Sequence, residues 1–138
     1  MQLEVKINLI LHATEDEKKV LEQLENILQV EQKNFQIEQV PGHFNNPILL
    51  VSSKLKKKIA EKFIKILFSK IKKADFQKIY ENVDEYVTSS GLSLRLSKQK
   101  MISEILTISK EDAIKINIST PVYVKNETKK IYKELLKL

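Results

Sequence analysis

The sequence contains two histidines, and each lies among residues that could support acid–base or metal chemistry. His12 is followed closely by Glu15, Asp16 and Glu17, and His43 lies in a short segment rich in proline, glycine and asparagine. An imidazole beside carboxylates can act as a general acid or base, or can ligate a divalent cation. Nothing in the spacing brings the two histidines together. Acids at the start of a helical pattern also suit a helix N-terminus, whose free N–H groups attract negative charge.

We therefore predict a non-enzymatic protein with no metal site and no other cofactor. A metal-assisted hydrolase that uses His12, His43 and the nearby acids is the minor alternative. The absence of cysteine excludes thiol nucleophiles and thiolate metal sites. The two glycines lie far apart in the sequence, so a glycine-rich phosphate cradle is not expected either.

Lysine dominates the charged residues. The chain has 24 Lys+Arg against 18 Asp+Glu, a formal net charge of +6, and Arg95 is its only arginine. A modest positive excess favours a polyanionic partner, and ammonium groups suit phosphates better than they suit base edges. The alternative is a solvated surface, or the lysine-rich and glutamate-rich composition of a thermophile, with no functional meaning.

Three groups of basic residues are the predicted phosphate contacts: a stripe on a helix near residues 55–72, a second stripe on the last helix, and a run around Arg95. The residues that we predict to contact nucleic-acid phosphates are Arg95, Lys98, Lys100, Lys54, Lys58, Lys62, Lys65, Lys129 and Lys133. The strands expected to form an open sheet face contain no aromatic residue, so base stacking is not expected. A nucleic acid bound in this way should be structured or double-stranded.

Hydrophobic periodicity predicts an α+β protein in the order β-α-β-β-α-α-β-(β)-β-α, as a single domain over residues 1–138. Residues 3–12, 92–97 and 113–120 alternate between apolar and polar and predict strands with one buried face. Helical spacing runs from about 17 to 28 and about 55 to 72, and again from 126 to 138. One-sided strands imply two layers, with helices on one face of a largely antiparallel sheet. The open face should display Lys6, Asn8, His12, Arg95, Lys115 and Asn117, with Ile10 and either Leu49 or Val51 as apolar islands.

Several local details follow from the same patterns. The second helix should begin near Leu55 and direct Ile59 inward, and Asp75 should cap a third helix. The last helix should bury Ile131, Leu135 and Leu138. Residues 98–109 are expected to hold a helical turn and a short strand. Between two strands at residues 35–40 and 48–53, Pro41 to Pro47 should form an irregular loop.

Three short motifs, at residues 12–16, 42–48 and 94–99, resemble an archaeal family of small RNA-binding-type proteins described as predicted exosome subunits. Members of that family carry similar HATED, GHHGNPI and LRLDKQ motifs. The matching positions in this sequence are His12, Thr14, Glu15, Asp16, Gly42, His43, Asn46, Pro47, Arg95, Lys98 and Gln99. The sequence departs from the pattern at Phe44 and Asn45, where the family tends to have histidine and glycine, and at Ser97, where aspartate is usual.

The resemblance implies a fold like that of the ribosomal protein that docks 5S RNA, and a role in RNA processing or with the archaeal exosome. It implies structural roles for His12, Thr14, Asp16, Gly42, His43, Asn46 and Pro47. The expected function is that of a non-enzymatic RNA-binding accessory protein in the cytoplasm, with no membrane association. The alternative is a protein-interaction or dimerisation module that uses the open sheet face, in which exosome components or a second copy would be the partner.

Overall fold

The architecture is a six-stranded antiparallel sheet with helices packed against one of its faces. The computed structural model describes residues 2–12, 15–42 and 46–138. The strands in these residues are β1 (Glu4–Leu11), β2 (Phe35–Pro41), β3 (Pro47–Lys56), β4 (Val87–Thr88), β5 (Gly91–Ser97) and β6 (Ala113–Ser119). The helices are α1 (Glu17–Leu28), α2 (Lys57–Lys70), α3 (Lys73–Glu81), α4 (Val83–Tyr86), α5 (Lys98–Ile102) and α6 (Thr128–Leu136). The sheet order is β2-β3-β1-β6-β5-β4.

The alternating strands bury one face, as the sequence predicts. In β1, Val5 and Ile7 are buried and pair with Ile118 and Ile116 of β6. Leu94 of β5 continues this apolar row beside Ile116. Apolar side chains of the helices complete the same core. The predicted α+β class, the antiparallel sheet and the two layers are confirmed.

Helix α1 begins where its acidic first turn predicts. Asp16 is the N-cap, and its carboxylate accepts a hydrogen bond of 3.2 Å from the Lys19 backbone N–H. This bond satisfies one of the free donors of the first turn. Thr14, the other residue predicted to cap this helix, lies outside the described residues. The predicted inward positions of α1 are buried, namely Val20, Leu21, Leu24, Ile27 and Leu28.

Helix α2 begins later than predicted because β3 is longer. Residues 54–56 continue the ladder with β1, where Lys54 pairs with Lys6 and Leu55 with Val5. The hydrogen bonds of the ladder therefore hold Lys54 in a strand, and the prediction that it belongs to the helical stripe is wrong. Helix α2 buries Ala60, Phe63, Ile64 and Leu67. Ile59, predicted to face inward, is 57% exposed.

Two further local predictions fail. Asp75 does not cap α3, which follows Lys72. Its carboxylate instead accepts hydrogen bonds from Thr107 Oγ1 at 2.6 Å and from the Ile108 backbone N–H at 3.1 Å. The last helix is shorter than predicted and buries Tyr132, Leu135 and Leu136, so its apolar stripe is rotated away from Ile131 and Leu138.

Part of the segment between β5 and β6 runs beside the end of β5, where the Ser97 N–H donates to the Thr107 carbonyl and the Ser109 N–H to the Arg95 carbonyl. Its helical part is α5, which starts two residues earlier than predicted. The strand predicted near residues 105–108 forms only single bridges, between Leu96 and Ile108 and between Ile71 and Leu106. No helix within the described residues is long and apolar enough to cross a membrane.

The loop between β2 and β3 begins with an irregular turn, as its sequence predicts. Pro41 and Pro47 form the last cross-strand pair. A Cβ atom added to Gly42 would clash with the carbonyl oxygen of Asn46 and lie 3.0 Å from Ile48 Cγ2. A side chain at Gly42 would therefore displace this turn. His43, Phe44 and Asn45 lie outside the described residues, as do the predictions made for them.

The turn before β5 depends on Gly91, which has a φ of +124° and lies against the backbone of β6. We predict that Gly91→Ala lowers the free energy of unfolding by at least about 1 kcal/mol, because the added Cβ meets the Ile118 carbonyl at a strained φ. Chemical denaturation would measure the change. Ser89→Ala, in the same turn but exposed, is the matched control, and equal stability of the two variants would contradict the prediction.

Candidate nucleic-acid interface

The open face of the sheet carries polar and basic side chains in rows that cross four strands. Strand register places Arg95 beside Lys115, and Lys115 beside Asn8 of β1. The next row contains Ser93, Asn117, Lys6 and Lys54. The prediction that Lys6, Asn8, Arg95, Lys115 and Asn117 lie on this face is confirmed. These residues come from segments far apart in the sequence, and antiparallel pairing brings them together.

A groove of about 740 Å³ runs over this part of the face, and we call it the basic groove. Five cationic residues line it: Lys6, Lys78, Arg95, Lys110 and Lys115. No Asp or Glu is among the described residues that line it. Of these five cations, only Lys6 lies within 4.0 Å of a carboxylate in the part of the chain that the structure describes, at 3.9 Å from Glu4. The groove is therefore strongly positive.

The walls of the basic groove come from helices and loops at the edge of the sheet. Lys78 of α3 and Tyr86 at the end of α4 lie on its lining, as does the segment that ends at Lys110. That segment is fixed to β5 by a 2.8 Å hydrogen bond from the Ser109 N–H to the Arg95 carbonyl. Asp75 fixes the same segment from α3 through its bonds to Thr107 and Ile108. The groove is thus built on ordered backbone.

The floor of the basic groove contains a small hydrogen-bonded network. The Asn117 amide donates to Ser93 Oγ at 3.0 Å and to Ser90 Oγ at 3.2 Å. Both protons of the Asn117 side-chain amide are donated to serines. The oxygen of the same side chain can therefore accept a hydrogen bond from a ligand. Ser93 accepts from Asn117 and has its own proton to donate. Two side chains bonded to each other therefore carry a neutral donor and a neutral acceptor among the cations.

A second groove, of about 630 Å³, continues across the sheet and shares Asn8, Arg95 and Lys115 with the first. Its character differs because Ile10 and Leu50, which are cross-strand partners, contribute apolar surface. Ile10 is 42% and Leu50 36% exposed. The prediction of Ile10 as an apolar island is confirmed. The companion is Leu50 rather than Val51, which is buried, or Leu49, which packs against the core.

Lys98 does not lie on either groove. It is 1% exposed, and its ammonium donates to the Ile10 carbonyl at 2.6 Å, Glu15 Oε1 at 2.9 Å and Asp112 Oδ1 at 3.0 Å. An ammonium has three protons, so these three acceptors saturate it. Lys98 has no remaining donor for a phosphate, and the prediction that it contacts RNA is wrong.

His12 lies beside this lysine. Its backbone N–H donates to Glu15 Oε1 at 2.9 Å, and its Nε2 lies 3.9 Å from Asp112 Oδ1. Ligand atoms of His12, Glu15 and Asp112 all lie within 4.8 Å of one another, close enough in principle to share a cation. The ammonium of Lys98 already supplies positive charge to both carboxylates, so we assign no metal to this cluster. Asp16 faces away as a helix cap, and His43 lies outside the described residues.

The remaining predicted RNA contacts are exposed but scattered. Lys54 joins Arg95 on the open face and lies 3.5 Å from Glu4. Lys100 follows the buried Lys98 on α5. Lys58, Lys62 and Lys65 lie on α2 and Lys129 and Lys133 on α6, both in the helical layer. The structure therefore does not gather the nine predicted residues into one surface.

Three residues that line the basic groove were given no role by the sequence: Lys78, Tyr86 and Lys110. Lys78 and Tyr86 belong to helical segments whose patterns show only which residues face the core. Lys110 lies in a segment without clear periodicity. Lys6 and Lys115 were predicted on the open face but not as contacts. The alternation of apolar and polar residues in their strands could have indicated this role, because it places Lys6 and Lys115 on the same sheet face as Arg95.

A family model described as RNA binding matches residues 4–120 of the chain. The chain belongs to this RNA-binding family. It is 32% identical over 126 residues to a protein of Pyrococcus abyssi named RNA-binding protein PAB1135, covering 86% of this chain and 82% of that protein. It is also 29% identical over 135 residues to an uncharacterized protein of Methanocaldococcus jannaschii, covering 92% and 91% of the two chains.

Solved structures of archaeal proteins described as DUF54 share the fold. A Sulfolobus solfataricus protein has a TM-score of 0.76 and 25% identity, over 97% of this chain and 98% of that one. A Methanothermobacter thermautotrophicus protein has a TM-score of 0.77 and 24% identity, over 99% of both chains. These structures support the two-layer fold. The expected likeness to the ribosomal protein that docks 5S RNA stays a prediction.

Two of the three motifs contact each other in this chain. The motif at residues 12–16 supplies Glu15, and the motif at residues 94–99 supplies Lys98, and these side chains form an ion pair. Ser97, where aspartate is usual, caps α5 by accepting a hydrogen bond from the Lys100 N–H at 3.1 Å. Serine and aspartate are comparable N-caps, so this departure preserves the role.

We predict that Lys98→Met lowers the free energy of unfolding by roughly 2–4 kcal/mol, because Glu15 and Asp112 lose their shared donor while remaining close together. The loss should be smaller than for a wholly buried pair, since the Asp112 side chain is 52% exposed. Urea denaturation would measure it. Lys100→Met, on the exposed side of α5, is the control and should change stability little. Equal effects of the two variants would contradict the role assigned to Lys98.

Proposed function

We propose that this protein is a non-enzymatic RNA-binding accessory protein that holds RNA phosphates in the basic groove of its open sheet face. The observation that carries the proposal is the groove itself, where five cations line one concavity without a carboxylate among its described lining residues. Membership of an RNA-binding family and similarity to a relative named RNA-binding protein support RNA as the polyanion.

The arrangement of the cations suits a phosphate backbone. Arg95 and Lys115 are adjacent on the floor, and Lys6 lies in the neighbouring row. Each cation that meets a phosphate releases condensed counterions, so binding should weaken as salt rises. Arg95 can also make two parallel hydrogen bonds to one phosphate, which a lysine cannot do. Arg95 is therefore the residue proposed to fix the register of the backbone.

We give the lysines of the helical layer a lesser part in RNA binding. Lys65 lies 3.6 Å from Glu61, and Lys129 lies 3.8 Å from Asp84. Lys133 lies over the Tyr80 ring, 4.9 Å from its centroid. These neighbours offset part of the attraction that each lysine could offer to a phosphate. Lys58 and Lys62 remain available, and we propose that they meet only the distal parts of a larger RNA.

The proposed cellular role is RNA processing in association with the archaeal exosome. It rests on the resemblance of the motifs at residues 12–16, 42–48 and 94–99 to predicted exosome subunits. A protein that holds RNA without cleaving it could present that RNA to a separate nuclease. Binding to the phosphates, rather than to one sequence, would suit many different RNAs.

We predict that Lys115→Glu weakens binding to a structured RNA at least about tenfold, because it removes one charged contact and sets a carboxylate beside Arg95. The slope of log K against log salt should fall in magnitude. Fluorescence anisotropy over a series of salt concentrations would measure both quantities.

Lys62→Glu makes the same charge change on α2 and is the matched control, for which little loss is expected with a small RNA hairpin that does not reach α2. Equal losses in Lys115→Glu and Lys62→Glu would move the interface to the helical layer or spread it over the whole surface. No binding by the unaltered protein even at low salt would exclude the proposed function.

A second candidate function, protein docking, is favoured by the apolar pair Ile10 and Leu50. These exposed side chains are cross-strand neighbours. Leu50 lies beside β2, the edge strand of the sheet, and Ile10 lies one strand further in. Apolar surface next to a free strand edge can join a partner protein or a second copy. An exosome component or a homodimer would bury this surface while leaving most of the basic groove open.

We predict that the Ile10→Asp variant no longer binds such a partner, because the substitution puts a charge into the apolar pair. Light scattering would detect a dimer, and a pull-down with purified archaeal exosome subunits after nuclease treatment would detect a complex. Ile59→Asp is the control, since Ile59 is an isoleucine on α2 that is also exposed, at 57% against 42% for Ile10. A monomer that captures no subunit without RNA would exclude docking through this surface.

A further inference from the structure

We propose that the basic groove takes an unpaired stretch of RNA, with one base held against Tyr86 and the polar floor, rather than the side of a double helix. The inference rests on the proposed function and names the RNA class for that site. It departs from the expectation of a structured or double-stranded partner: within a folded RNA, the groove would select a loop, a bulge or an end.

The shape of the groove favours an unpaired strand. Its volume of about 740 Å³ lies in the range of pockets that enclose small ligands. An RNA double helix is a stiff convex cylinder, and proteins that bind it read shape and phosphates over a broad surface. A single strand can bend and direct an unstacked base into a concavity. Only the unpaired strand can therefore fill the groove while its phosphates meet the surrounding cations.

The floor of the groove offers what a base edge requires. The Ser93 hydroxyl can donate and the Asn117 side-chain oxygen can accept, and the 3.0 Å bond from Asn117 Nδ2 to Ser93 Oγ holds the two side chains together. A neighbouring donor and acceptor match the alternating groups on the edge of a nucleobase. In a double helix those edges are already paired. Phosphate binding alone would not require a neutral pair at this place.

The wall of the groove supplies the aromatic ring that the strands lack. Tyr86 is half-buried at the end of α4 and packs partly against the core, so its position is restricted. A restricted aromatic ring is a favourable stacking partner, because little side-chain freedom is lost on binding. The expectation that stacking is absent followed from the strands alone. In this protein the aromatic ring instead belongs to Tyr86 of α4, the helix that borders those strands.

The test compares a short fluorescent single-stranded RNA with the same strand in a blunt, fully paired duplex, using the full-length protein. We expect the single strand to bind at least about tenfold more tightly. Tyr86→Leu should weaken single-strand binding by about 5- to 100-fold, the effect of losing one stacked base, and leave duplex binding unchanged. Tyr123→Leu is the matched control, because Tyr123 is 90% exposed and lies outside the groove.

A second variant keeps the test independent of the core contacts of Tyr86. Ser93→Ala combined with Asn117→Ala removes the polar pair from the floor, and it should also weaken only the single strand. Equal affinity for both RNAs, or equal losses for both in the variants, would overturn the inference. The proposed function would still stand if Lys115→Glu weakened duplex binding. Failure of both RNAs to bind would instead reject the function itself.

Discussion

The buried ammonium of Lys98 is the constraint on which much of the arrangement depends. A charge removed from water is tolerated only where its protons find acceptors, and here all three do. The acceptors belong to the end of β1, the turn before α1 and the turn before β6. Together with the start of α5, where Lys98 itself lies, its side chain therefore joins four separate parts of the chain. No buried side-chain nitrogen or oxygen among the described residues lacks a partner, so this polar cluster is fully satisfied.

The same strands that meet at Lys98 carry the basic groove on their open face. Lys98 follows directly after β5 and bonds to β1, while Asp112 directly precedes β6. Asp75 makes a comparable link at the wall, joining α3 to the segment beside β5. Both links use a charged group with several hydrogen bonds rather than extra apolar area. Such links restrict geometry as well as add stability, which is what a preformed groove requires.

Local patterns in the sequence predicted the parts of the structure that local physics decides. Alternation in β1, β5 and β6 gave the correct faces for Lys6, Arg95 and Lys115, because a strand's side chains must alternate. Three of the errors share one cause, which is partners distant in sequence. Lys54 is held in a strand by its pairing with β1, Asp75 bonds 32 residues away, and Lys98 reaches Ile10 across 88 residues. A buried lysine that is bonded to carboxylates looks, in the sequence, like one that meets solvent.

Net charge alone would not have located the interface. The excess of +6 is spread over the whole chain, and both layers display lysines. The two layers differ in where their carboxylates lie. Glu61 and Asp84 lie beside lysines of the helical layer, whereas Glu15 and Asp112 bond to Lys98. The groove keeps its positive potential because its described lining contains no acid. Asp112 lines the second groove together with Arg95 and Lys115, and its bond to Lys98 offsets part of its negative charge there, so Lys98 contributes to the interface without touching it.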